Sequence, residues 1–444
     1  MAPVVGAAPE QRRRRSRLPR RWPVPLALFA AVALVYLPTI SPDPSPDVFS
    51  ADFAALHIAR TGEPVPHIPD FPRLDDNIIR ETWIVETADG REAVGRAPGV
   101  IAIGVPAYWL LRPKTVSAIP GGITAALLTA GTVTLLFLTL RERIGSRHAL
   151  LAAMLFGLTT PMWSVAANGV WPHTLTTFGI IGMAWAADRG RWWLVGLFGG
   201  VALWGRLHAA LICAVLGLAL AWLRRTPSIA LRIGAASGAM LALMSVWTHW
   251  MYGRWDPSAA YRVADFTGNA AGNSVDVVNF LGFWVSPDRG LLVWTPLIVL
   301  LAPALVRSWR DLPDWSRSLL VAGVMYLLVQ GMLVRFSGGD QFYGYRTSLE
   351  LLACATPALA LSAERMGPVA RRLFVPVAVL QLVMITPGSV LDGFYVQAAD
   401  VWHRNAFANG LADRPVVMSV CIGCSLVLAF LFVRVWRIVF ADGL

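Results

Sequence analysis

Long apolar runs, many of 15 to 20 residues, recur along this chain from residue 23 to residue 433, and no other feature narrows its fold as much. A helix of about 20 apolar residues crosses the roughly 30 Å hydrocarbon core of a bilayer. Repeated runs of that length therefore predict a polytopic membrane protein. With 56% hydrophobic and only 15% charged residues, the 444-residue chain does not read as a soluble globular protein. The formal charge of +11 would suit nucleic acid. However, the basic residues sit in short clusters between apolar runs, as in membrane loops, so no nucleic-acid partner is expected.

The expected fold class is all-α and integral to the membrane, with spans near 22–40, 117–140, 148–160, 171–187, 192–205, 207–222, 230–251, 290–306, 318–334, 347–362, 373–388 and 414–433. The first reads as a retained signal-anchor behind an Arg-rich cytosolic tail (1–21), because no small-residue cleavage site follows it. The membrane unit covers 22–434, and 435–444 forms a second cytosolic tail. Segment 97–111, APGVIAIGVPAYWLL, decides the topology. If it lies along the outer surface, the cytosolic side holds 23 of the 38 basic residues and 7 of the 27 acidic ones, leaving 15 and 20 outside. Positive charge retained in the cytosol is the usual bias, so 97–111 is read as interfacial and both termini as cytosolic. The long first loop, 41–116, then lies outside with those at 252–289, 335–346 and 389–413. Long irregular segments on one face of a plasma membrane place the working site there.

Charges at helix ends in lipid need a partner or a task. Arg206, Arg289, Arg335 and Arg346 stand at outer helix ends, with His173 and His208 beside them. Singly, each has an ordinary explanation in snorkelling, capping or, for Arg346, a pair with Glu350 one turn on. Together they suit a phosphate presented from the bilayer, which the planar guanidinium matches in geometry. Of the aspartates in SPDPSPDVFSADF, Asp43 reads as turn chemistry. Asp47 is the first choice for a carboxylate that takes a proton, and Asp52, on another helical face, the second. His208 and, in SGGDQFYGYR, Asp340, Tyr343 and Tyr345 are candidate sugar or acceptor contacts, with tryptophans supplying further ring faces. The four cysteines lie in apolar runs and read as small buried residues.

The order of SPDVFSADFAALHIARTGEP, GREAVGRAPGVIAIGVPAYWLL, PMWSVAANGVWPHTLTTF, GFWVSPDRGLLVWTPLIVLL and FSGGDQFYGYRTSLELL resembles the GT-C superfamily of polytopic glycosyltransferases. Within it, the chain is similar to the polyprenyl- or dolichyl-phosphate-mannose-type enzymes. The resemblance implies sugar transfer, with inversion, from a polyprenyl-phosphate donor to an envelope glycan, glycolipid or protein acceptor outside the cell. It places Asp47 as base and His173, Arg206, Arg289 and Arg346 near the lipid phosphate. The sequence departs from those relatives at GRAPGV and at Phe336 and Asp340. No Asp-x-Asp pair is evident, so no cofactor is assigned and a divalent metal is left open. Almost every basic side chain is arginine (Lys114 is the only lysine), as in a GC-rich genome such as an actinobacterium's, where mannose- or arabinose-like donors are expected. The competing readings are a transporter or flippase of lipid-linked sugars and a non-catalytic subunit of an envelope-synthesis complex. Against the transporter, no internal repeat is evident and the charges sit at helix ends rather than mid-span.

Overall fold

The structure is a computed structural model that describes residues 24–261 and 276–440. The Arg-rich tail 1–21, part of the 252–289 loop and the last residues of the C-terminal tail lie outside the described residues. Each apolar segment is helical. The helices are α1 (Val24–Tyr36), α2 (Pro46–Thr61), α3 (Asn77–Trp83), α4 (Pro98–Leu111), α5 (Ile119–Leu158), α6 (Pro172–Asp188), α7 (Trp192–Gly205), α8 (Ala210–Leu223) and α9 (Pro227–Tyr252), and after them Val277–Val285, Leu291–Trp294, Leu297–Ser308, Asp314–Leu333, Leu349–Ser362, Pro368–Val390, Ala406–Asp413 and Pro415–Phe440. Among the described residues, five are long and apolar enough to cross a membrane: α5, α9, Asp314–Leu333, Pro368–Val390 and the helix from Pro415.

Local chemistry explains where they start and stop. Proline opens α2, α4, α6 and α9, where the missing N–H would have no helical partner anyway. α2 and α9 end on Gly62 and Gly253 in the left-handed conformation. The 40-residue α5 is two helices broken at Gly145 (φ 75°, ψ 157°), and the second folds back on the first, since a Cβ on Gly157 would meet Val133; the spans expected at 117–140 and 148–160 thus meet at the RERIGSRH connection. Only glycine reaches that backbone region at little cost. One feature departs from the all-α expectation. Ile84–Glu86 pairs antiparallel with Glu92–Val94, because a β-branched run followed by Asp89-Gly90, with Gly90 at φ 79°, makes a hairpin.

Helices approach closely at small residues, as expected where lipid gives no hydrophobic drive between them. A Cβ on Gly179 would meet the Ala202 and Phe198 backbone, one on Gly196 the Ile233 carbonyl, and one on Gly99 the Trp204 carbonyl. These contacts seat α7 between α6 and α9 and lay α4 across α6 and α7. α4 has 14 residues, about 21 Å of helix, short of the roughly 30 Å core. Its first half is buried, while Trp109, Leu110 and Leu111 are exposed.

The connections gather at two ends. At one, residues 41–116 meet the turn after α5 and the late loops: Ser41 N reaches Asn168, Tyr252 reaches the Val94 carbonyl, and Asp288 accepts from Ala406 N. At the other, Arg143 pairs with Asp188, Arg224 with Asp314 and Arg365 with Asp311. At Gly145, where an added Cβ meets nothing within 4 Å, only backbone strain opposes a side chain. Gly145→Ala should cost about 1–3 kcal/mol in thermal-inactivation measurements, whereas Gly234→Ala, equally open but helical, should be neutral or stabilising by up to about 1 kcal/mol.

Candidate active site

α2 begins the site. Ser45 caps it, its hydroxyl accepting from Asp47 N at 3.3 Å, and Pro46 sets the first turn. The cap is therefore Ser45, and the Asp47 carboxylate is left free for other partners. It is 5% exposed and lies between two guanidinium groups. Arg346 donates to Oδ2, and Arg96 Nη1 stands 3.4 Å from Oδ1. Burial alone would raise the Asp47 carboxyl, but Arg346 and Arg96 outweigh it and hold the group below the ordinary value of 3.8.

Each arginine is itself held. Arg346 also donates to the Gly338 carbonyl, and its guanidinium lies over the rings of Trp171 at 4.8 Å and Phe342 at 4.9 Å. Arg96 lies over Trp83 at 4.3 Å. The turn 335–346 can bend to deliver Arg346 because Gly338, Gly339 and Gly344 all have positive φ.

Behind Arg346 sits a second buried group. His173 Nδ1 is 2.8 Å from Glu350 Oε1, both side chains being fully enclosed. Glu350 thus pairs with His173 on α6, while Arg346, its alternative partner one turn away, reaches across to Asp47. Arg206 donates to the Tyr326 hydroxyl at 3.3 Å and acts electrostatically on both Asp47 and Glu350. His208 stacks on Tyr326 and bonds Gln330 Oε1 at 2.5 Å. Three arginines (Arg96, Arg206 and Arg346) therefore face two carboxylates, a surplus of positive charge. Among the described residues, His173 Nε2, Gln330 Nε2, Ser348 Oγ and Glu350 Oε2 are buried without a hydrogen-bond partner. Unpaired buried polar atoms are costly, and these four belong to the residues of this cluster or their helix neighbours.

Other expected site residues stand elsewhere. Arg289 is 1% exposed and does not reach Asp47. It donates to the carbonyls of Phe342, Gly344 and Val396 and pairs with Asp288 at 3.0 Å. It clamps the late loops rather than facing a phosphate. Tyr345 is fully buried, its hydroxyl sharing a 2.7 Å hydrogen bond with Thr295, so it offers no face for a sugar. Asp340 is exposed and accepts from Ala398 N, tying two loops together. Tyr343 lines the neighbouring cavity with its hydroxyl donated to the Met384 carbonyl. Arg335 is exposed. Asp43 pairs with Arg73 at 2.9 Å on the surface. Asp52 faces away from the arginines, with Oδ1 where a Gly121 Cβ would be. Burial pushes its carboxyl up to about 8, the Tyr108 hydroxyl beside it offsetting part of the rise.

Arg96, Tyr326 and Gln330 complete the cluster and were not singled out in the sequence. Gln330 had a signal, as the lone amide in the apolar stretch SLLVAGVMYLLVQGMLV. Arg96 had a weaker one, two residues before the proline that opens α4. Beside the cluster is a cavity of about 820 Å³, between residues 41–49, the turn carrying Ser164 to Trp171, and the loops 341–343 and 388–395. Ser45, Pro46, Trp171 and Phe342 line it; Asp47 and Arg346 sit just behind them.

The architecture is thus a helical fold with five helices, among the described residues, long and apolar enough to cross a membrane, and a charged cluster at one end. Among solved structures, one shares this fold and another is similar at a lower score. ArnT from Cupriavidus metallidurans, solved with undecaprenyl phosphate, superposes with a TM-score of 0.55 over 91% of this chain and 74% of its own, at 14% identity. An oligosaccharyltransferase from Archaeoglobus fulgidus, solved with a tethered acceptor peptide, gives 0.48 over 90% of this chain and 55% of its own, at 12% identity. No protein-family model and no curated protein matches the sequence.

Two measurements follow. With a folded pKa near 8, Asp52 stays protonated in the fold while it ionises in the unfolded chain. Its destabilisation therefore grows from about pH 4 to about pH 8. Asp52→Asn should raise the melting temperature at pH 7 by roughly 2–4 °C, and the gain should shrink toward pH 4. Arg289→Met should lower thermal stability by about 3–5 kcal/mol, since it orphans Asp288 and three carbonyls.

Proposed function

We propose that this protein is a membrane glycosyltransferase that moves a sugar from a polyprenyl-phosphate donor to a hydroxyl of an acceptor on the extracytoplasmic face, with inversion at the anomeric carbon. The observation that carries the reading is the buried Asp47 carboxylate between Arg346 and Arg96, with Arg206 within electrostatic reach. ArnT, which shares the fold, was solved with undecaprenyl phosphate, and this supports a lipid-phosphate donor here.

In this reading the lipid phosphate takes up the positive surplus of Arg346, Arg96 and Arg206. The acceptor oxygen attacks the anomeric carbon as the bond from that carbon to the phosphate oxygen breaks. The electron pair leaves with the phosphate, where the guanidinium groups stabilise it. The acceptor proton passes to Asp47. The unpaired atoms of His173, Gln330, Ser348 and Glu350 are available to the hydroxyls of the donor sugar. A donor phosphate drawing Arg346 away would also make Asp47 more basic when the proton must move. The donor sugar is taken to be mannose- or arabinose-like and the acceptor part of the cell envelope, with the more charge-rich loop end outward.

Asp47→Asn keeps the volume and removes the base. Transfer from radiolabelled polyprenyl-phosphate mannose or arabinose should fall about 10²–10⁴-fold, with donor binding retained. Full transfer by this variant would remove Asp47 from the role. Because Asp47 must be ionised and its pKa lies below 3.8, kcat/KM should carry no acid limb from this group above about pH 5. Arg346→Lys should weaken donor binding about tenfold or more, since an ammonium cannot reproduce the paired donors.

A further inference from the structure

The cavity beside the cluster has a chemistry of its own. Six aromatic side chains line it: Phe49, Trp171, Phe342, Tyr343 and Phe394, each showing it only a small part of its ring, and the half-buried Tyr395. Short polar groups stand between them, among them Ser164, Asn168 and Gln341. Aromatic faces alternating with small hydrogen-bonding groups suit a sugar ring, whose C–H face stacks while its hydroxyls are bonded at the edges. At about 820 Å³ the space lies in the upper range of ligand pockets and holds more than one sugar ring.

Its charge is opposite to that of the cluster. Three carboxylates (Asp43, Asp76 and Asp392) line it against one guanidinium, Arg73, which is already paired with Asp43. A phosphate or sulfate entering there would meet net negative charge, whereas a neutral glycan would find hydrogen-bond acceptors. The boundary between the two regions is thin. Trp171 and Phe342 meet edge to face at 6.2 Å on the cavity side, and the Arg346 guanidinium lies against both rings from behind. Ser45 and Pro46 line the cavity, and Asp47 follows them in the chain.

We infer that this cavity is the acceptor site and that it takes an uncharged oligosaccharide, excluding phosphorylated or sulfated acceptors. The inference rests on the transferase reading and adds the acceptor class to it. The acceptor enters between the first outer loop and loop 388–395, and its hydroxyl approaches Asp47 past the Trp171–Phe342 edge. Asp392 is exposed, and it serves as the charge filter at the mouth.

The test is binding, measured by saturation-transfer-difference NMR on the full-length protein in lipid nanodiscs. The probes are neutral mannose, arabinose, glucose and galactose oligosaccharides and their sulfated counterparts. At least one neutral series should bind, with sulfated forms at least tenfold weaker. Tyr395→Ala should weaken neutral binding about tenfold. Asp392→Arg should narrow the gap between neutral and sulfated forms, and both positions are exposed enough for the fold to survive. Equal binding of neutral and sulfated forms, no neutral binding, or neutral binding indifferent to both substitutions would overturn the assignment. Donor consumption is assayed separately. Oligosaccharide binding without consumption of any polyprenyl-phosphate sugar would leave the cavity and sink the transferase, while donor turnover without glycan binding would do the reverse.

Discussion

The contact between Asp47 and Arg346 joins residues 299 positions apart in the chain and closes the loop end of the molecule. One partner is on the first loop helix, the other on the glycine-rich turn before Leu349–Ser362. A charge pair largely removed from water, with Asp47 buried and Arg346 part-buried, is a weak stabiliser, because desolvation consumes much of the attraction. It persists because each partner has further support: Arg96 on the carboxylate, two aromatic rings and the Gly338 carbonyl on the guanidinium. That support comes from three separate loops, those of Arg96, of Trp171, and of Gly338 and Phe342, so the pair can form only when all of them are folded.

The helices beneath supply the rigidity. α6, α7 and α9 pack through glycines and alanines that bring backbones close, and this fixes where His173 and Arg206 emerge at the loop end. Arg289 performs the same service from the other side of Phe342. Its three carbonyl contacts hold 342–344 against Val396, and so hold the ring on which Arg346 rests. The residue expected at a phosphate thus acts through another arginine. Two oppositely charged regions, one cationic and one acidic and aromatic, are kept apart by a layer of two rings.

The sequence was most legible where a short-range rule applied. Apolar length located the helical segments, Pro and Gly marked their ends, and helical phase separated Asp47 from Asp52. It was least legible among the arginines. Arg289 and Arg346 both follow glycine-containing turns at the ends of apolar runs, and nothing local distinguishes them. Their difference lies in which backbone carbonyls surround them, a matter of loops far away in the chain. Arg96 and Gln330 were passed over for the same reason, since a residue's partner across the fold leaves no periodic trace near it.

What the sequence alone determined was the kind of molecule: a helical membrane protein with its charge sorted to the ends of its apolar segments. The physical reason is that lipid imposes length and polarity on every segment independently. What only the tertiary structure decided was which ends meet. Ion pairs and close glycine contacts depend on the relative placement of helices, and that placement placed Asp47 with Arg346, Glu350 with His173, and Arg289 with a ring of carbonyls.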